Sequence, residues 1–90
     1  MKVYFKKSFI KDFRKLPPHI KKEVREICCK EFSIISNLKE FKTYPLKKIK
    51  GFKNYYRIRL GEYRIGFKQE EGRIIFMRVL HRKDIYKYFP

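Results

Sequence analysis

Apolar and polar residues alternate in three successive runs of the C-terminal half. In the first, Tyr56, Ile58 and Leu60 fall on one side and Tyr55, Arg57 and Arg59 on the other. In the second, Tyr63, Ile65 and Phe67 oppose Arg64, Gly66 and Lys68; in the third, Ile75, Met77 and Val79 oppose Arg78, Leu80 and Arg82. A period of two is the signature of a half-buried strand. Gly61-Glu62 between the first two runs predicts a two-residue hairpin with glycine at the first loop position, as a II′ turn requires. Gln69 to Gly72 predicts a longer hairpin loop in which Gly72 takes positive φ. The sheet so built has one apolar face. Its other face carries Arg57, Arg59, Arg64, Arg78 and Arg82, a surface suited to holding an anion.

The N-terminal half changes period. Lys2 to Phe5 reads as a short strand. Ser8 is placed to cap a helix over Phe9 to Leu16, in which Phe9, Phe13 and Leu16 share a face. Pro17-Pro18 ends it, because proline lacks the amide donor and restricts the residue before it. A second helix follows from about His19 to Ile35, with an apolar stripe of Ile20, Val24, Ile27, Cys28, Phe32 and Ile35. The two form an antiparallel hairpin. Phe41 to Pro45 is a loop, Leu46 to Lys50 a weak strand closed by Gly51, and Arg82 to Tyr88 a short terminal helix or turn. Helices grouped before strands predict an α+β fold. The helical hairpin packs on one face of an antiparallel-dominated sheet of four to five strands, and a short C-terminal helix completes one domain over residues 1–90.

Length and composition narrow the function. Ninety residues bury roughly 60–65% of their extended surface, enough for one modest core. Cys28 and Cys29 are adjacent, with no spacing for a disulfide framework or a metal site. They read as small apolar helix residues in a reducing compartment. No apolar run approaches the ~18 residues of a membrane span, and the first residues lack a signal-peptide core. A cytoplasmic protein is expected. The net charge of +16 repels itself and points to a polyanionic partner. AT-rich coding would inflate lysine, but it does not explain arginines clustered on strands.

Candidate chemistry follows from that clustering. From Lys42 to Lys68 there are nine Lys or Arg residues and Glu62 is the only acid. Arginine suits bidentate phosphate contact. Lys47, Lys48, Lys50 and Lys53 bring further charge from the loop and weak strand, and Lys87 from the terminal helix. Tyr55, Tyr86 and Tyr88 offer rings for stacking on unpaired bases. A plain solvated basic face is the alternative. His81 has a suitable pKa, about 6.5 in water, yet the alternation points it with Val79 and away from Arg82. Asp84 and Glu62 form no spaced carboxylate pair, so no metal-dependent nuclease site and no cofactor is expected. Without a metal, cleavage of a phosphodiester must use the RNA's own 2′-OH, with positioning, proton transfer and cations for the developing charge.

Several segments carry a resemblance when read in order. These are the helical hairpin, Leu46-Lys-Lys-Ile-Lys-Gly51, Tyr56-Arg-Ile-Arg-Leu60, Tyr63-Arg-Ile65, and Arg78-Val-Leu-His-Arg82 with Ile85-Tyr86. Together the chain resembles the RelE/ParE superfamily of toxins from toxin–antitoxin systems. The RelE type implies metal-independent cleavage of messenger RNA in the ribosomal A site, by 2′-OH attack that leaves a 2′,3′-cyclic phosphate. The family pattern places its catalytic positions at Arg57, Arg59, Arg64, Arg82 and Tyr86. Where many members have lysines, Arg57 and Arg59 hold charge rather than carry protons. Tyr86 is then the candidate for proton acceptor or stacking face, since neighbouring guanidinium groups favour phenolate; His81 is the other titratable candidate. RNA docking falls to Lys47, Lys48, Lys50, Lys53, Tyr55 and Lys87.

The resemblance also implies partners: a cognate acidic antitoxin that folds on binding, the ribosome and its mRNA, and operator DNA only through the antitoxin. The ParE type implies a DNA gyrase poison instead. A non-catalytic basic nucleic-acid-binding module is the third reading.

Overall fold

A computed structural model describes Met1 to Pro90. Five strands form one sheet: β1 (Lys2–Phe5), β2 (Leu46–Lys48), β3 (Tyr55–Leu60), β4 (Tyr63–Glu70) and β5 (Arg73–His81), in the order β1-β5-β4-β3-β2. All neighbours are antiparallel except β1, which runs parallel to β5. Helix α1 (Lys7–Arg14) follows β1, and α2 (Pro18–Arg25) continues through a π-helical segment, Glu26–Glu31, into α3 (Phe32–Ile34). A 3-10 turn at Leu38–Glu40 precedes β2, and α4 (Arg82–Tyr88) follows β5. This is the α+β architecture that the pattern predicts. No helix is long and apolar enough to cross a membrane.

The helical stripe lands where its spacing puts it. Val24, Ile27, Cys28 and Phe32 are buried, with Ile20 and Ile35 packed at the margin. The π segment adds a residue to the helical turn, inside the span expected to be uniform helix. Phe32 is the centre of the core, edge-on to Phe67 and Phe76 with centroids 5.3 Å away in both cases. Such aromatic pairs add about 0.5–1.5 kcal/mol each beyond the area they bury. Burial pushes the Cys28 thiol well above its ordinary pKa and keeps it protonated, whereas Cys29 is exposed.

Three local expectations are corrected. Ser8 does not cap α1; Lys6 holds that position, and Ser8 Oγ donates to the Met77 carbonyl at 2.7 Å. The second hairpin is tighter than predicted, since β4 runs to Glu70 and only Glu71 and Gly72 turn the chain, at φ 42° and 78°. Two successive positive φ values are the I′ pattern. The inward phase of β5 also differs. Phe67 pairs with Phe76 but Gly66 pairs with Arg78, so Met77 is an extra residue. This bulge shifts the phase by one: Ile74 and Phe76 point into the core before it and Val79 after it, while Ile75 and Met77 are only partly buried.

The bulge lies where β5 loses its outer neighbour, because β1 pairs only with Arg73 to Phe76. There α1 takes over the strand edge. Asp12, 7% exposed, accepts from the Val79 amide at 3.1 Å. The same carboxylate accepts from Arg78 Nε at 2.7 Å and from its second terminal nitrogen at 3.0 Å. A side chain thus replaces the missing strand partner, as a buried amide requires.

Candidate active site

The register builds the basic face row by row. Lys47, Arg57, Gly66 and Arg78 lie opposite one another across β2, β3, β4 and β5, and Arg59, Arg64 and Leu80 form the next row. Arg59 and Arg64 are therefore direct cross-strand neighbours. Like charges in that position oppose pairing, so the core has to offset a local repulsion.

Helix α4 crosses the same face and brings the tyrosine in. Phe89, just past its end, is 4% exposed and Ile85 fully buried. Phe89 sits on Gly66 so closely that a Cβ there would lie 2.6 Å from its ring. Glycine at this point of the alternation is thus a socket. The anchored helix sets the Tyr86 ring 4.7 Å from the Arg57 guanidinium, with Tyr86 still 65% exposed. The next aromatic, Tyr88, lies 5.2 Å from Arg78.

The guanidinium groups are held in different ways. Arg64 Nη1 donates to the carbonyls of Gly61 at 2.7 Å and Tyr63 at 2.9 Å, which fixes its fork against the hairpin. Burial lowers the pKa of Arg64, the Tyr86 hydroxyl opposes this, and Arg59, Arg57 and Arg82 lower it further. An arginine so perturbed remains cationic near neutral pH. The charges acting on Arg64 are thus those of Arg57, Arg59, Arg82 and Tyr86. Arg82 Nε meets Glu62 Oε2 at 2.5 Å, both side chains being exposed. Such a pair contributes at most about 1 kcal/mol. Arg57, Arg59 and Arg64 take part in no ion pair. No group of three or more His, Cys, Asp or Glu residues is placed to hold a metal ion.

Other candidates fall elsewhere. Arg78, expected on the open face, is tied to Asp12 and a quarter exposed. His81 is not brought into the cluster. Its ring stands edge-on to Tyr63 at 5.6 Å and its Nδ1 accepts from the Lys83 amide, capping α4. Lys47 shares the row of Arg57, but Lys48 pairs with Tyr56 and so faces the helical side. Lys50 and Lys53 stand in the loop after β2, and Lys87 is exposed on α4. Tyr55 is half-buried between Phe52 and Phe89, with Lys68 Nζ 5.4 Å from its ring. The sequence reading missed Asp12 and Phe89. Asp12 is a lone acid on the Phe9–Leu16 face, and Ile85 and Phe89 are spaced i, i+4; either signal would have found them.

Known proteins share this sequence pattern and this fold. A family model described as the ParE toxin of type II toxin–antitoxin systems, parDE, matches residues 3–86. Toxin RelE3 of Methanocaldococcus jannaschii is 50% identical over 92 residues, covering the whole of both chains. The chain belongs to the RelE/ParE superfamily of toxins. A solved RelB-RelE antitoxin–toxin complex from Methanococcus jannaschii superposes with a TM-score of 0.81 at 47% identity, over 97% of this chain and 99% of that one. The RelBE2 toxin–antitoxin complex of Mycobacterium tuberculosis gives 0.71 at 25% identity, over 90% and 96%. The isolated Escherichia coli RelE toxin shares the fold, with a TM-score of 0.67 at 16% identity over 96% and 90%. The protein is a RelE-like toxin of a toxin–antitoxin system.

Proposed function

We propose that this toxin is a ribosome-dependent endoribonuclease that cuts messenger RNA in the A site without a metal ion. The supporting observation is the joining of Arg57, Arg59, Arg64 and Arg82 with Tyr86 on one exposed patch, where Glu62 is the only paired carboxylate. In the reaction the RNA 2′-oxygen bonds to the adjacent phosphorus as the bond from phosphorus to the 5′-oxygen breaks. The 2′-OH gives up a proton, the departing 5′-oxygen gains one, and a 2′,3′-cyclic phosphate remains. Negative charge gathers on the phosphate oxygens on the way, and fixed cations favour that state over the ground state. Arg64, locked by the hairpin carbonyls, and Arg82 hold the phosphate; Arg57 and Arg59 add field. Tyr86 serves as proton acceptor or as a stacking face for a base.

Tyr86→Phe separates those two roles in single-turnover cleavage of a ribosome-bound message. A proton-transfer role predicts a loss of ~10²–10⁴-fold with normal ribosome binding. A stacking role predicts a near-normal rate for Phe and a large loss only for Tyr86→Ala. Primer extension with and without ribosomes tests the reading as a whole. Ribosome-dependent cuts support it; trapped DNA double-strand breaks with intact RNA would make the chain a gyrase poison instead. A cognate antitoxin is the expected partner, as in the RelB-RelE antitoxin–toxin complex of the similar protein, and the net charge of +16 here favours an acidic one.

A further inference from the structure

The loop between β2 and β3 holds an aromatic side chain that the catalytic reading leaves unused. Phe52 is 49% exposed, although a phenyl ring in a solvated loop has nothing to gain from water. The chain lifts it out by two left-handed residues, Gly51 at φ 84° and Asn54 at φ 65°. Exposed Lys50 and Lys53 flank it. Its ring is backed edge-on by Tyr55 at 6.1 Å, and Tyr55 in turn by Phe89 at 5.8 Å. Phe89 is the residue seated on Gly66. The loop ring is thus braced through two aromatic neighbours to the floor of the arginine site. Tyr55 and Arg57 are also two residues apart on one strand face, about 6.6–6.8 Å. The result is a continuous track from Phe52 through Tyr55 to Arg57 and Tyr86.

We infer that Phe52, braced by Tyr55, forms a stacking shelf for one unpaired nucleotide of the RNA, beside the nucleotide held at the arginines, with Lys50 and Lys53 on its phosphates. The inference rests on the ribonuclease reading and extends it by a subsite. An aromatic face amid cations matches a single-stranded polyanion, whose bases offer apolar rings and whose backbone offers charge. A cation-only docking surface has no use for the phenyl, and binding of the antitoxin by the variants separates an RNA from an acidic protein segment.

A short single-stranded oligonucleotide with 2′-O-methyl riboses resists cleavage, because the nucleophile is blocked. Carrying 2-aminopurine, it reports stacking by fluorescence quenching. With the wild-type toxin, and with Phe52→Tyr, binding should quench the probe. Phe52→Ala should weaken binding about 5- to 150-fold and remove the quench. Its log–log salt slope should be unchanged, since no phosphate contact is lost; Lys50→Ala with Lys53→Ala should lower that slope by about 0.7 per contact. Equal affinity and quenching for Phe52→Ala and wild type would overturn the shelf, as would a wild-type toxin that leaves the probe unquenched. A loss of antitoxin binding in Phe52→Ala with oligonucleotide binding unchanged would make the loop a protein anchor and also overturn it. Phe52-dependent quenching in a toxin that cuts no ribosome-bound message would defeat the cleavage reading alone and leave the shelf standing.

Discussion

The two faces of the sheet are built on opposite rules. On the helical face, Phe32, Phe67 and Phe76 lie at 0% exposure within one cluster of buried apolar side chains. On the other, Arg59 opposes Arg64 across β3 and β4, and Arg57, Arg59 and Arg64 have no acidic partner. The first arrangement lowers the energy of the fold and the second raises it. A single sheet can carry both because its side-chain period is two: each residue that packs the core places its neighbour on the site. The small cluster of Ile85, Phe89 and Gly66 brings apolar packing onto the basic face, and it is what brings Tyr86 to the arginines.

The division can be broken first at the core. Phe32→Ala should destabilise the protein by about 3–5 kcal/mol, as loss of a buried phenyl does. Urea titration measures it, and a change below 1 kcal/mol would mean that the helical face is not the main source of stability.

Next in size is the site. Arg64→Ala should lower single-turnover cleavage by ~10²–10³-fold, the scale of one lost oxyanion donor. It should leave the urea midpoint nearly unchanged, since relief of the repulsion from Arg59 offsets the lost bonds to the Gly61 and Tyr63 carbonyls. Equal toxicity of the variant and wild type in cells would remove Arg64 from the site.

The seat of α4 on the basic face gives a smaller effect on stability and a mixed one overall. Gly66→Ala forces the Phe89 ring away, at a cost of roughly 1–3 kcal/mol for overpacking. Because α4 then loses its seat, cleavage should fall while ribosome association persists. If the rate is unchanged, Tyr86 does not depend on Phe89 for its position.

The smallest effect sharpens the same contrast within one strand. Lys47→Ala should reduce the log–log salt slope of ribosome association by roughly 0.7–0.9 for one lost phosphate contact. Lys48→Ala, one residue on but facing the helices, should change it less. Equal slopes would mean that the rows of the sheet do not govern docking.

What the sequence shows of this plan follows from how local each signal is. The alternation in β3 and β4 is uninterrupted, so Arg57, Arg59 and Arg64 could be put on one face from the residues alone. In β5 the same reasoning misplaces Ile75 and Met77, because a bulge is a response to the end of β1 and leaves no mark in the periodicity. Arg78 reads as a site residue until α1 supplies Asp12 from 66 residues away. His81 is ambiguous in the sequence, since its role depends on whether the strand or α4 claims it; here it is the cap of α4. Lys48 reads like its lysine neighbours by charge, whereas its face is set by pairing with Tyr56.

The proposed chemistry is tested most directly by a message with one altered sugar. The nucleotide whose 3′-phosphate is cut is mapped first, and a 2′-deoxynucleotide is then placed there in a ribosome-bound message. Single-turnover cleavage by the wild-type toxin should vanish at that position, while the unmodified message yields a 2′,3′-cyclic phosphate and a 5′-hydroxyl. Cleavage that continues at the deoxynucleotide would contradict 2′-OH attack and, with it, the arginine cradle as the means of stabilising that transition state.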